Sequence, residues 1–319
     1  MPNLNLGRTL VIANPASHSG RGHAAAMRAQ RFFNSYSSIS TSFEMLLTKG
    51  PKDATLMAED AQDYDTVIAL GGDGVIHETI NGLMNIPRDK RPTLAVIPMG
   101  SGNDFARTLN ATYNAPDTSL AEIFSGHHRN FDLGKITNEL GESTYFMETL
   151  SFGLDAAVSV DTTIRRADHA KQEGSALFAT SGLKIMARGH KGYQAHLSLS
   201  TNQSYDLPCI VLVANIGPTY GGGFMICPDA RPNDGLLSMC FNTKRPSIPH
   251  LLALFGLART GLHTHSSIIT TAEVTSFEVS FSDPLVPCQT DGEVFQGQSY
   301  KVSICPHELD VIVPAQCRW

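Results

Sequence analysis

The sequence predicts an α/β domain on a parallel sheet over residues 1–128. An antiparallel β-rich domain, a sandwich or a strongly bent sheet, is expected over 129–319. Three observations predict this fold class. Apolar strand-like runs alternate with helical segments to about residue 128, which calls for parallel strands joined by helical crossovers. Three strand-to-helix corners carry glycine: Gly20/Gly22, Gly71/Gly72/Gly74 and Gly100/Gly102. After about residue 130 the apolar period falls to two, the period of strands with one wet face.

The elements follow in order. Leu10 to Pro15 reads as a strand stopped by proline, and Ala24 to Phe33 as a helix. Phe43 to Leu47 is the next strand, and Asp53 to Gln62 a helix with an acidic start. Val67 to Leu70 is a short, apolar, buried strand. Val75, Ile76, Thr79, Ile80 and Leu83 then fall at helical spacing, so a helix begins at the glycines. Leu94 to Pro98 is a strand, and Phe105 to Leu109 a helix. In the second half Tyr193, Ala195, Leu197 and Leu199 alternate with polar residues, as do Phe277, Val279 and Phe281, and Tyr300, Val302 and Ile304. Cys209 to Asn215 is more continuously apolar and reads as a central strand. Helix formers between Asp161 and Ala187 predict one or two helices interrupting the sheet.

Composition narrows the function classes. A chain of 319 residues, 42% apolar and 17% charged, can build two cored domains. A net charge of -6 with no Lys/Arg cluster argues against nucleic acid as a partner. The six cysteines form no C-x-x-C pair and no zinc spacing, so they read as small buried hydrophobes in a reducing compartment. No apolar signal core opens the chain. The longest apolar run, His250 to Ala258, is far short of the ~20 residues that span a bilayer. The expectation is a soluble, cytoplasmic protein without a transmembrane segment.

The stretch Thr66 to Leu83 organises the chemistry. A strand, a bare backbone and a helix start present amide N–H groups and a positive helix end to an anion. Asp73 is the only ionisable group in that corner, and among phosphates it needs a metal ion or a proton transfer to justify it. The second corner, Gly100-Ser-Gly-Asn-Asp104, lies on the following strand, and two such corners can bracket one triphosphate. Neither carries a P-loop lysine, and neither is G-x-G-x-x-G with an acid about 20 residues on. Phosphate charge would fall to amides, Mg2+ and arginines such as Arg21 and Arg107. Two later Asp-Gly pairs, Asp234-Gly235 and Asp291-Gly292, have the sequence of plain hairpin turns. Glu293 after the second is not required by turn chemistry. Two acids around one glycine can supply a metal ligand and a general base.

Gly71-Gly-Asp-Gly-Val-Ile-His-Glu-Thr-Ile-Asn-Gly-Leu83, Pro98-Met-Gly-Ser-Gly-Asn-Asp-Phe-Ala-Arg107 and Asp291-Gly-Glu293 together resemble the diacylglycerol kinase catalytic-domain family. That family includes bacterial lipid kinases, sphingosine kinases and ceramide kinases. The likeness extends to Asn14-Pro15 and to Ser151-Phe-Gly-Leu-Asp155, so it covers nearly the whole chain. It implies a first domain related to phosphofructokinase and NAD kinase, a β-sandwich second domain, and ATP in the cleft between them. By motif, Gly71, Gly72, Asp73 and Gly74 would meet the ATP phosphates and metal. Gly100, Ser101 and Gly102 would form the other wall, with Asn14, Pro15 and Thr48 on the nucleotide side. Asp234, with the carbonyls of Arg231 and Leu236, resembles the structural Mg2+ site of bacterial members. Glu293 matches the base that deprotonates the lipid hydroxyl, with Asp291 beside it. In the sphingosine-kinase branch that role goes to the residue matching Asp73, and both assignments stay open here. Asp155 matches a head-group contact in that branch. Val75 departs from the Thr of bacterial members, while His77-Glu78 and Ser101 are sphingosine-kinase-like.

The resemblance implies an ATP- and Mg2+-dependent lipid kinase that phosphorylates a primary hydroxyl of a lipid such as diacylglycerol, held in the apolar interior of the β-rich domain. The alternatives are a sphingosine- or ceramide-type kinase, an NAD kinase-like kinase of a soluble substrate, and a non-catalytic lipid-binding pseudokinase. The expected partner is lipid at a membrane surface, met by transient peripheral contact, and a homodimer is compatible with the sequence.

Overall fold

The computed structural model describes residues 4–36, 40–167, 180–185 and 192–319. The chain divides into two units, one of residues 1–131 and 307–319 and the other of residues 132–306. The sequence reading draws one boundary near residue 128; in the structure the chain crosses at Phe131/Asp132 and returns at Pro306/His307. The return has a sequence signature. Leu309, Val311, Ile312 and Val313 are all buried, an apolar segment interrupted only by Asp310 and suited to a sheet covered on both faces.

In the first unit β1 (Arg8–Ala13), β2 (Ser42–Leu47), β3 (Thr66–Gly71) and β4 (Thr93–Pro98) pair in parallel in the order β2-β1-β3-β4. Helices α1 (Arg21–Ser35), α2 (Asp53–Glu59), α3 (Asp73–Leu83), α4 (Asp104–Thr108) and α5 (Pro116–Phe124) make or follow the crossovers. Every residue of β3 is buried, as its apolar run requires. The register sets Ala13 against Leu47 and Leu70, and Gly71 against Pro98. The carboxyl ends of the four strands are therefore level, and open parallel sheets bind ligands at that edge.

The strand β5 (His127–Asn138) leads into the second unit, where two sheets form. One comprises β7 (Thr149–Gly153), β10 (Val211–Asn215) and β11 (Leu237–Asn242) with β12 (Ile269–Val274), β14 (Cys288–Thr290) and β15 (Glu293–Val294). The other sets β8 (Tyr193–Leu199) between β9 (Ser204–Cys209) and β13 (Ser276–Phe281). Beyond β13 lies the first part of β16 (Ser299–Val313), and β6 (Ser143–Phe146) pairs with β5. All these pairings within the second unit are antiparallel.

Phe152, Phe241, Phe281 and Tyr300 fill the sandwich interior, with Phe152 centred 5.0 Å from Tyr300 and 5.5 Å from Phe281. The unbroken apolar character of β10 has a simple cause. Leu212 and Ala214 enter the sandwich core, while Val211 and Val213 face a second cluster on the other side of the sheet. That side also meets α6 (Leu154–Ala167), α7 (described over 180–185) and α8 (Ile248–Leu257). The helical forecast for Asp161 to Ala187 is met in α6 and α7; its remainder, 168–179 and 186–187, lies outside the described residues.

Candidate active site

The two glycine corners of the first unit close on each other. A Cβ on Gly100 would stand 2.7 Å from Gly72 Cα, and one on Gly72 would stand 3.3 Å from Gly100 Cα. Only glycine allows this approach, and the result is a backbone cradle. Asn103 holds the second corner in shape: its Oδ1 accepts the Gly100 N–H (2.9 Å) and its Nδ2 donates to Gly100 O (2.7 Å). It adopts a left-handed backbone, φ 54°, which asparagine tolerates better than most residues. Its own N–H donates to Asp73 Oδ2 at 2.7 Å. Asp73 therefore ties the first corner to the second.

The neighbouring strand ends bring the other nucleotide-side candidates to the same edge. Asn14 N–H donates to Leu70 O, and Thr48 N–H donates to Ala13 O, each at 2.9 Å. Asn14 Oδ1 accepts the Ala16 N–H and so shapes the turn at Pro15. The set Asn14, Pro15, Thr48, Gly71 to Gly74 and Gly100 to Gly102 thus lies along one sheet edge. Arg107 is folded onto the Tyr113 ring (4.7 Å) and donates to Gly102 O. Glu78 accepts the Lys52 and Ala54 N–H groups at the start of α2, a cap that the sequence reading overlooked. His77, buried, lies 3.2 Å from Asn81 Nδ2, a neighbour on its own helix.

In the second unit Asp291 and Gly292 form the two-residue turn between β14 and β15, both with positive φ (51° and 97°). The hairpin chemistry read from the sequence is present. The Asp291 carboxylate accepts N–H bonds from Met147 (2.9 Å), Glu148 (3.0 Å) and Thr149 (2.9 Å). A carboxylate bound by three amides holds a turn in place. Glu293 is exposed on the short strand that follows. Gln289 braces the turn: its Oε1 accepts the Gly292 N–H and its Nε2 donates to the buried Ser151 Oγ.

The Asp234 turn brings in a residue that sequence spacing concealed. Asp132, 1% exposed, accepts the Gly235 N–H through Oδ2 at 2.7 Å, and Asp132 N–H donates to Pro232 O. Asp234 Oδ1 accepts the Leu236 N–H. Burial pushes the Asp234 carboxyl above its ordinary pKa, and the Asp132 charge adds to the push. Among the described residues no group of three His, Cys, Asp or Glu side chains is placed to hold a metal. Asp132 and Asp234 both reach this turn, and carboxylate oxygen is the donor type that a hard divalent cation takes.

An apolar pocket lies on the helix side of the six-stranded sheet. Val158, Val211, Phe224, Leu251, Leu254 and Phe255 are among its walls, and among the described residues Asp155 is its one carboxylate. The sequence reading puts a lipid inside the β-rich interior, but that interior is filled by the aromatic core. The cavity lies outside it, across the sheet. Asp155 is 8% exposed, its Oδ2 has no hydrogen-bond partner among the described residues, and burial raises its pKa to about 7, opposed by the Ser151 hydroxyl. His263, also on the wall and 3% exposed, donates Nε2–H to Ile226 O at 3.1 Å, and burial lowers its pKa.

Known proteins share this pairing of units. The diacylglycerol kinase catalytic domain matches residues 8–136, and the YegS C-terminal NAD kinase beta sandwich-like domain matches residues 148–313. Curated relatives named "probable lipid kinase YegS-like" from Yersinia pestis (strain Pestoides F) and Yersinia pseudotuberculosis serotype O:1b are 26% identical over 268 residues. That is 83% of this chain and 85% of each relative. The crystal structure of a diacylglycerol kinase from Bacillus anthracis (strain Sterne) superposes with a TM-score of 0.74 at 21% identity, covering 97% of both chains. An NAD kinase from Archaeoglobus fulgidus, solved with ATP, superposes with a TM-score of 0.53 at 12% identity over 97% of this chain and 94% of its own. These two likenesses show the fold: an NAD kinase-like α/β unit followed by a β-sandwich. The YegS C-terminal model covers more than half of the chain, which belongs to that family, carries a diacylglycerol kinase catalytic domain before it, and is a lipid kinase, a phosphotransferase.

Proposed function

We propose that the chain transfers the γ-phosphoryl group of ATP to a primary hydroxyl of a lipid such as diacylglycerol. The observation that carries this reading is the apolar pocket with, among the described residues, Asp155 as its only carboxylate. A pocket so lined suits an acyl or long alkyl chain, while the Asp155 carboxylate suits a polar head group. A soluble dinucleotide has little use for walls of leucine, valine and phenylalanine.

Roles divide between the units. The amides of Gly71, Gly72, Gly74, Gly100, Ser101 and Gly102 face the phosphates, and Asn14, Pro15 and Thr48 flank the nucleotide. Donors fixed in advance stabilise charge as it spreads over the transferring group without reorganising during the step. Asp73 is bonded to the Asn103 amide, whereas Glu293 is exposed and held out on a braced turn. That contrast supports Glu293 as the base that takes the hydroxyl proton, with Asp291 positioning it. Asp155 receives the lipid head group. Asp234, the Arg231 and Leu236 carbonyls and Asp132 would hold Mg2+, which when bound offsets the mutual repulsion of the two carboxylates.

The test is a direct competition of substrates. The protein is incubated with radiolabelled ATP and Mg2+, either with a mixed lipid extract or with NAD, and labelled products are identified by mass spectrometry. Label in a phosphorylated lipid is expected. Label confined to NADP, or no label in either, overturns the proposal.

A further inference from the structure

Helix α8 breaks the pattern of a surface helix in water, which turns charged or polar side chains outward. Its inward face is conventional: Leu251, Leu254 and Ala258 just beyond it are buried, and with Phe255 they wall the pocket. Its outward face is Ile248, Pro249, Leu252, Ala253, Gly256 and Leu257, all exposed and none polar. Ile248 is 50% exposed, Leu252 39% and Leu257 40%. His250 is the only polar side chain of the helix. Leu262, 52% exposed, prolongs the patch past the helix end. A contiguous apolar surface of this kind marks an interaction site.

The surrounding charge says what covers it. From Gly235 to Ala272 the chain contains no aspartate or glutamate, although the whole protein carries a net charge of -6. Lys244 and Arg245 are exposed just before the helix, and Arg259 just after it. A second copy of the chain meeting this face symmetrically would bring like charges together. A bilayer containing anionic lipid offers apolar depth to the leucines and negative head groups to the basic flank. At ten residues the helix is about 15 Å long, too short to span and able only to lie in the interface.

We propose that the outward face of α8, flanked by Lys244 and Arg245, docks on an anionic lipid bilayer, so that the helix walling the lipid pocket on one side rests in the membrane on the other. The choice of a bilayer as occupant rests on the lipid-kinase reading of the pocket.

Co-sedimentation tests it, using vesicles of phosphatidylcholine alone or mixed with phosphatidylglycerol. The wild-type protein partitions onto the mixed vesicles, and Leu252→Ser/Leu257→Ser reduces that partition about tenfold or more. Lys244→Gln/Arg245→Gln removes the preference for phosphatidylglycerol. Hydrogen–deuterium exchange on the wild-type protein, which needs no variant, shows residues 248–257 protected by mixed vesicles. Unchanged partition in both double variants, or no protection of 248–257, overturns the proposal. So does a wild-type dimer in light scattering that Leu252→Ser/Leu257→Ser turns into monomers, because the face is then a contact between copies. Phosphorylation of a short-chain lipid in free solution separates the two readings. If it is absent while partition behaves as stated, the kinase proposal fails and the docking surface stands.

Discussion

Asp73 Oδ2 accepts the backbone N–H of Asn103 across the two glycine corners, at 2.7 Å. The aspartate of the first corner is thereby part of the shape of the second. Asp73→Asn keeps an oxygen for that N–H and should hold unfolding free energy within about 1 kcal/mol of wild type while abolishing turnover. Asp73→Ala leaves the amide without its acceptor and should cost about 1–3 kcal/mol as well. Urea unfolding and phosphoryl transfer measured on both variants separate the two duties. Equal loss of stability in both would show that the oxygen is not what holds the corners.

The approach of Gly72 and Gly100 leaves no room for a side chain. In Gly100→Ala the new methyl group would meet Gly72 Cα at 2.7 Å and Asn103 Oδ1 at 2.9 Å, so the corners must separate. Nucleotide binding should weaken at least tenfold, about 1.4 kcal/mol, by calorimetry. Gly141→Ala is a control for the substitution alone: its φ of 84° is also strained, but nothing lies within 4 Å of the new methyl. It should leave nucleotide affinity unchanged.

The Asp-Gly-Glu turn predicts a division between two neighbouring acids. Glu293 is exposed, so Glu293→Gln should change stability by less than about 0.5 kcal/mol and abolish turnover. Asp291 binds three amides, so Asp291→Ala should cost about 2–3 kcal/mol and reduce kcat by misplacing Glu293. Thermal unfolding alongside kcat and KM gives both readings. Normal turnover in Glu293→Gln would remove it from the mechanism.

Much of this was legible in the chain. Thr66–Gly71 and Thr93–Pro98 announce themselves because strands buried on both faces leave an unbroken apolar run, and the glycines after them mark where backbones must come close. The hairpin at Asp291-Gly292 follows from local turn chemistry. What sequence spacing conceals is pairing at long range. Asp132 meets the Asp234 turn from about a hundred residues away, and Gln289 reaches Ser151 from a strand that is adjacent only after folding. The pocket escaped for another reason. Alternation in β10 gives one face to the sandwich and the other to the helices, and a continuous apolar run does not say which face keeps a cavity.

Asp155 gives the fold a dependence on pH with a definite sign. Its pKa rises from 3.8 to about 7 in the folded protein, so between those values the native state binds the proton that the unfolded chain has released. The stabilisation is complete below the lower value and is lost as pH rises through about 7. Asp155→Asn cannot ionise and should flatten the stability profile across that window, gaining on wild type as pH increases. Denaturant unfolding at a series of pH values checks this. Parallel profiles for the two proteins would show that the carboxyl is not held protonated.

Asp132 and Asp234 supply the remaining prediction. Two carboxylates brought to one turn repel, and the rise in the Asp234 pKa from burial and from Asp132 registers that cost. A cation bound there would relieve it, so Mg2+ should raise the Tm of the wild-type protein, with chelation reversing the gain. Asp234→Asn lowers the repulsion without metal; it should match or exceed the wild-type Tm in chelator and show little further response to Mg2+. Because the readout is thermal unfolding without nucleotide or lipid, it does not depend on turnover. An equal Mg2+ response in wild type and Asp234→Asn would place the cation elsewhere and leave the turn a purely structural junction.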